Sequence, residues 1–253
     1  MGRILAFAYG AGSYVLFLFT FLYAIGFVGN FVVPKTLDGE PGGPWHIALL
    51  VDLGLLSLFA LQHSIMARPA FKCVLTQFIP AAIERSTYVL ASSVALLFLF
   101  WQWQPLGGTI WNVESEPGRF LLTTGFAFGF ALVLLTTFVI NHFDLAGLGQ
   151  VWRNLLGQPQ RKPSFVMPWL YRVVRHPLYV GWFFAFWCTP TMTVTHLVFA
   201  LVTTAYILVA IRFEERDLIH ELPEYAKYRE QVPMLIPSFR GNTHATVASG
   251  ARG

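Results

Sequence analysis

From Leu178 to Ile211 the chain runs 34 residues without an aspartate, glutamate, lysine or arginine, and charge stands at both ends. Arg172, Arg175 and His176-Pro177 precede the run; Arg212, Glu214, Glu215, Arg216 and Asp217 follow it. A straight helix of that length would reach ~51 Å at about 1.5 Å per residue, whereas the hydrocarbon core of a bilayer is only ~30 Å thick. Thr189-Pro190-Thr191 interrupts the run, and proline inside a helix removes a donor and clashes with the preceding turn. The stretch therefore predicts an apolar helical hairpin, outward over 178–189 and back over 195–211. Such a hairpin returns Glu214 and Glu215 to the membrane face where Arg175 and His176 began.

The rest of the chain fits that frame. Of its 253 residues, 55% are hydrophobic and 12% charged, with a mean hydropathy of +0.57, the composition of a multi-span membrane protein and not of a soluble domain. Four further apolar segments are predicted to span, at 11–33, 46–66, 86–103 and 120–140. Basic residues collect on cytoplasmic loops. Loop 67–85 carries Arg68, Lys72 and Arg85 against Glu84, and segment 141–177 carries Arg153, Arg161, Lys162, Arg172 and Arg175 against Asp144. Both are expected inside, with both termini. Loops 34–45 and 104–119 each carry one basic residue, Lys35 or Arg119, against two acidic ones, Asp38 and Glu40 or Glu114 and Glu116, and are expected outside. The fold class is thus all-α: a polytopic transmembrane bundle of four spans plus a C-terminal hairpin, with a cytoplasmic-facing site. Residues 1–240 read as one integral-membrane domain whose catalytic half is about 141–237, and 241–253, rich in Gly, Ala, Ser and Thr, as a disordered tail. The net charge of +4 reads as topology charge, not as a nucleic-acid footprint.

Several side chains at the expected inner face carry chemistry. Pro177 biases His176 away from helix and opens a helix at Leu178, where free N–H groups would suit an acceptor. Gly181 lets a ligand or a neighbouring helix come close. Glu214 and Glu215 supply negative charge, so a ligand bearing both a carboxylate and an ammonium group would fit between these ends. A salt-bridge belt of interfacial charges is the competing reading. No pair of histidines has a metal-ligand spacing, Cys73 and Cys188 form no ligand signature, and His196 falls at the far side, so no metal is expected.

Arg175-His176-Pro177-Leu178-Tyr179-Val180-Gly181, an apolar hairpin, Glu214-Glu215 and Tyr225-x-x-Tyr228 together resemble the isoprenylcysteine carboxyl and phospholipid methyltransferase superfamily of membrane enzymes. The resemblance implies S-adenosyl-L-methionine as methyl donor and co-substrate. It places Arg175, His176, Pro177, Leu178, Tyr179, Gly181, Glu214 and Glu215 in the donor site. Leu61-Gln62-His63-Ser64, Glu84-Arg85-Ser86-Thr87-Tyr88, Asn141-His142-Phe143-Asp144 and Val232-Pro233-Met234-Leu235-Ile236-Pro237 are similar to the bacterial branch that methylates methanethiol to dimethyl sulfide. That branch implies a small apolar thiol as partner, reached from the lipid side, in the bacterial cytoplasmic membrane. Another small thiol, a prenylcysteine carboxylate, a phospholipid amine, or a non-enzymatic role like that of NnrU-like proteins stand as alternatives.

A thiol must become a thiolate to attack a methyl group. His142 and Asp144, after the fourth span, are candidates to take the proton, since histidine titrates near neutrality; helix-end caps are the other reading. His63 and Tyr206 are further candidates, with packing between helices as their alternative. Asp52 lies mid-span in the outer half and is expected to hold a structural partner.

Overall fold

The computed structural model describes residues 2–160 and 167–237. Arg161, Lys162 and the tail expected over 241–253 lie outside the described residues. Helices α1 (Arg3–Gly29), α2 (Trp45–Ala67), α3 (Pro69–Leu75), α4 (Glu84–Gln102), α5 (Glu116–Ile140), α6 (His142–Leu145), α7 (Leu148–Leu156), α8 (Pro177–Trp187), α9 (Val194–Glu221) and α10 (Glu224–Gln231) make up most of the described structure. Five of them, α1, α2, α4 (with the short turn before it), α5 and α9, are long and apolar enough to cross a membrane. The protein is a multi-pass membrane protein built as an all-α bundle.

The hairpin is present, and its arms are unequal. Helix α8 has 11 residues, a rise of only ~16 Å. The chain then continues extended through Thr193, which adds up to ~20 Å at about 3.3 Å per residue. Together these match the ~33 Å that α9 takes to return from Val194 to Glu215. The extended part is secured by β2 (Thr191–Thr193), which pairs antiparallel with β1 (Thr109–Asn112) from the loop between α4 and α5. A two-stranded ribbon thus closes the tip of the hairpin. The returning helix also outruns the predicted end at 211, because residues 212–221 contain no breaker and are mostly good helix formers. Pro223 follows the last turn.

Polar contacts sort the loops into two ends. At one, Asp38 accepts from Asn30 Nδ2 at 2.7 Å, from the Thr193 hydroxyl, and from His196 Nδ1 at 3.3 Å. Trp103 Nε1 donates to the Leu37 carbonyl at 3.0 Å, and Asp52 Oδ1 accepts the Gln104 N–H at 2.9 Å. The loops that follow α1 and α4 and the hairpin tip therefore share an end, with His196 and Asp52 serving as structural partners there. At the other end, Arg68 pairs with Asp217 at 2.7 Å, Arg85 Nε donates to the Leu145 carbonyl at 2.8 Å, and the Arg3 guanidinium lies against Gly157. Between the ends, Phe27, Leu99, Phe100, Phe130, Phe186 and Phe199 form the main buried core.

Helix α8 is fixed in place by α5. A Cβ at Gly129 would stand 2.4 Å from the Ala185 nitrogen and 2.7 Å from the Gly181 carbonyl; a Cβ at Gly181 would stand 2.8 Å from the Gly129 carbonyl. The two backbones meet where neither residue has a side chain, the small-residue packing by which apolar helices associate in lipid. Gly181 therefore serves a neighbouring helix, one of the two roles open to it from sequence.

Candidate active site

Successive residues of a helix point about 100° apart, so the adjacent carboxylates of Glu214 and Glu215 leave α9 in different directions. Glu215 turns toward the start of α8. Its Oε1 accepts from Arg175 Nε at 2.7 Å and from His176 Nε2 at 3.0 Å, and the Tyr225 hydroxyl donates to it at 3.4 Å. The Arg175, His176 and Glu215 side chains keep only 11%, 5% and 10% of their exposure.

The C-terminal stretch completes this knot. Arg175 Nη1 donates to the carbonyls of Arg229 at 2.9 Å and Val232 at 2.5 Å. The backbone N–H groups of Arg175 and His176 donate to the carbonyls of Pro233 and Met234. Tyr228 donates its hydroxyl to the Tyr171 carbonyl at 2.6 Å. Free N–H groups are expected from sequence at the helix start at Leu178. Those of Tyr179 and Val180 donate to the His176 carbonyl at 3.1 and 3.2 Å, and just before the helix those of Arg175 and His176 are consumed by residues 233–234, because the chain folds back along the turn. Of His176, the ring nitrogen Nδ1 is left without a protein partner among the described residues.

Glu214 faces the other way. Its Oε2 accepts the Tyr179 hydroxyl at 2.8 Å, and its Oε1 has no protein partner among the described residues. Tyr179 lies within electrostatic reach of Glu214, Tyr206 and Tyr88. Burial, reinforced by the Glu214 charge, pushes the Tyr171 phenol well above the usual tyrosine range. Four tyrosines, from α4, the segment before α8, α8 and α9, thus gather near one half-free carboxylate.

The surrounding groups come from α2 and α4. The Tyr88 hydroxyl meets His63 Nε2 at 2.8 Å, and Ser92 Oγ meets His63 Nδ1 at 3.2 Å. Tyr206 and Ser64 share a hydrogen bond of 3.2 Å. The Arg85 guanidinium lies over the Tyr88 ring, 4.8 Å from its centroid. His63 and Tyr206 are therefore brought to the tyrosine cluster. Tyr88 and Tyr171 join it unforeseen. For Tyr88 the available signal was its place one turn after Arg85, since residues three apart share a helix face.

His142 and Asp144 have hydrogen-bond partners of their own. Thr137 donates its hydroxyl to the Leu134 carbonyl at 2.6 Å, so it accepts from His142 Nδ1, which lies 2.9 Å away. His142 Nε2 then accepts from the Tyr14 hydroxyl at 3.0 Å, while the ring stacks on Phe138 at 4.3 Å. Burial pulls this imidazole below its ordinary pKa, which keeps it neutral at pH 7. Asp144 pairs with Arg153 at 2.7 Å and accepts from Asn141 Nδ2 at 2.6 Å. These contacts tie α6 to α1, α5 and α7, and none of them is to α8 or α9.

The arrangement suits a cationic ligand that also carries hydrogen-bond donors. The open oxygen of Glu214 can accept from an ammonium or hydroxyl group, His176 Nδ1 can bond a further polar atom, and aromatic faces attract a cation by ~0.5–2 kcal/mol. No cluster of three or more metal-ligating side chains occurs among the described residues.

Comparison with known proteins gives a concordant result. The isoprenylcysteine carboxyl methyltransferase (ICMT) family matches residues 129–220, which include both α8 and the paired glutamates. The chain is 53% identical to a methanethiol S-methyltransferase of Crocosphaera subtropica, over 94% of this chain and 93% of that protein. It is 52% identical to one of Mycobacterium tuberculosis, over 94% of this chain and 98% of that protein. A more distant relative is nurim of Xenopus laevis, 31% identical over 78% of this chain and 72% of nurim. No solved structure matches the chain.

Proposed function

The chain belongs to the methanethiol S-methyltransferase family, and from that premise we propose that it methylates methanethiol to dimethyl sulfide with S-adenosyl-L-methionine as donor. The observation that carries this reading is the pairing of Tyr179 with Glu214 at 2.8 Å beside an open carboxylate oxygen. The donor, when bound, supplies an electrophilic methyl group on a sulfonium.

The side chains divide the work. Glu214 accepts from the ammonium or ribose hydroxyls of the donor, with His176 Nδ1 as a second polar contact. Tyr179 orients Glu214 and, with Tyr206 and Tyr88, offers aromatic surface to the sulfonium. Arg175, His176 and Glu215 hold α8 and α9 together. Pro177 and Leu178 start α8, and Gly181 locks it to α5. In the reaction the thiol sulfur forms a bond to the methyl carbon as the sulfonium C–S bond breaks, and the thiol proton is released. We assign that proton to His63 Nε2, relayed through the Tyr88 hydroxyl that meets it at 2.8 Å; Tyr206, a neutral phenol near pH 7, is too weak a base to keep the proton and serves as a polar contact at the site. Dry aromatic walls replace the hydration of the thiolate, and holding sulfur and methyl about 3–3.5 Å apart supplies much of the remaining acceleration.

The single domain over 1–240, with its catalytic half at about 141–237, is part of this proposal. So is a cytoplasmic site in the bacterial cytoplasmic membrane, supported by Arg68, Lys72, Arg85, Arg153, Arg172 and Arg175 at the site end. Among the described residues, only Lys35 and Arg119 stand at the opposite end. The acceptor reaches the site from the lipid side. Headspace analysis of purified protein mixed with methanethiol and S-adenosyl-L-methionine tests the function. Dimethyl sulfide is expected to accumulate with turnover. Donor binding without dimethyl sulfide would move the acceptor to another class, a larger thiol, a prenylcysteine carboxylate or a phospholipid amine.

A further inference from the structure

The opposite face of α9 carries a second arrangement that the proposed reaction does not use. Arg212 and Arg216 each stand two residues from Glu214, so they point ~160° away from it around the helix. With Glu215, Ile219, His220 and Arg229 they line an open cleft of ≈ 240 Å³ between α9 and α10. The three guanidinium groups have no acidic or carbonyl partner among the described residues. The one acid in the cleft, Glu215, is already paired with Arg175 and His176. The cleft is therefore strongly electropositive, and its arginines match phosphate oxygens in geometry.

What lies beside it narrows the ligand. Leu201, Leu208 and Val209 continue the same side of α9 toward the bundle centre and are 51%, 40% and 51% exposed. In an apolar helix of this length such a stripe faces acyl chains. It leads into the cleft within one turn of Val209, about 5 Å along the axis. We propose that this cleft binds the phosphate of an anionic phospholipid headgroup, with the acyl chain laid along the Leu201–Val209 stripe. Basic pockets at the membrane–water boundary are suited to such headgroups. The inference does not depend on the methyl-transfer reading.

Native mass spectrometry of the full chain, extracted in neutral detergent with phosphatidylglycerol and phosphatidylcholine added equally, tests it. Preferential retention of phosphatidylglycerol is expected, falling at least about fivefold in the double variant Arg212→Gln/Arg216→Gln. Both substituted residues are exposed, and a single gel-filtration peak with unchanged melting in neutral detergent shows that the variant is folded. Arg172→Gln, at the same membrane end but outside the cleft, should retain the lipid like the parent. Equal retention of the two lipids, or undiminished phosphatidylglycerol retention in the folded double variant, would overturn the proposal. Stabilisation by inorganic phosphate with none by phosphatidylglycerol would overturn the lipid assignment.

Discussion

Replacing Glu215 with glutamine will lower the melting temperature by about 6–20 °C and abolish both donor binding and turnover. The carboxylate is the shared acceptor of Arg175 and His176, and all three side chains are nearly sealed from solvent. Removing one member of a buried ionic group leaves the others uncompensated, at a cost of about 3–5 kcal/mol. In a chain of this size each kcal/mol is worth roughly 2–4 °C. The consequences spread because Arg175 also bonds the carbonyls of Arg229 and Val232. The start of α8, α9, and the segment after α10 would loosen together. Differential scanning fluorimetry, read beside donor titration, checks this. A variant that melts like the parent would show that the knot does not hold the site.

The second large effect lies 30 residues or more from the glutamates in sequence. Gly129→Leu is expected to prevent recovery of a monodisperse protein, and Gly129→Ala to lower stability by about 1–3 kcal/mol, the usual cost of overpacking. The added Cβ would fall 2.4 Å from a backbone nitrogen of α8, and backbone cannot rotate aside as a side chain can. Helix α8 would have to move away from α5, carrying His176 and Tyr179 with it. Gly12→Leu provides the control, because a Cβ there meets nothing within 4 Å. Fluorescence-detected gel filtration compares the three variants. If Gly129→Leu matched Gly12→Leu, the α5–α8 contact would not be the restraint on the site.

These contacts mark where the sequence is readable and where it stops. The hairpin could be read because a length mismatch with the bilayer and a proline admit few other folds, and charge bias then sorted the loops to ends. The end of α9 could not be read from hydropathy. Loss of apolarity at Arg212 marks the membrane boundary, whereas helices end at breakers or caps, here near Pro223. The ribbon between Thr109–Asn112 and Thr191–Thr193 is too short to give a period. His176, Tyr179, Glu214 and Glu215 were legible as a group, but not their separate partners. Which carboxylate faces α8's first turn and which faces the tyrosines depends on how α9 is rotated against its neighbours. Likewise the partners of His142, Tyr14 and Thr137, come from α1 and α5 and follow only from their packing.

The central claim is that two adjacent glutamates have different tasks, Glu214 toward the donor and Glu215 toward the fold. Isothermal titration of S-adenosyl-L-methionine into Glu214→Gln, with its melting curve recorded on the same sample, addresses it most directly. We expect affinity to fall about tenfold or more, equivalent to about 1.4 kcal/mol, while the melting temperature stays within about 2 °C of the parent, since this carboxylate is outside the knot. Unchanged donor affinity in a folded Glu214→Gln protein would contradict the claim.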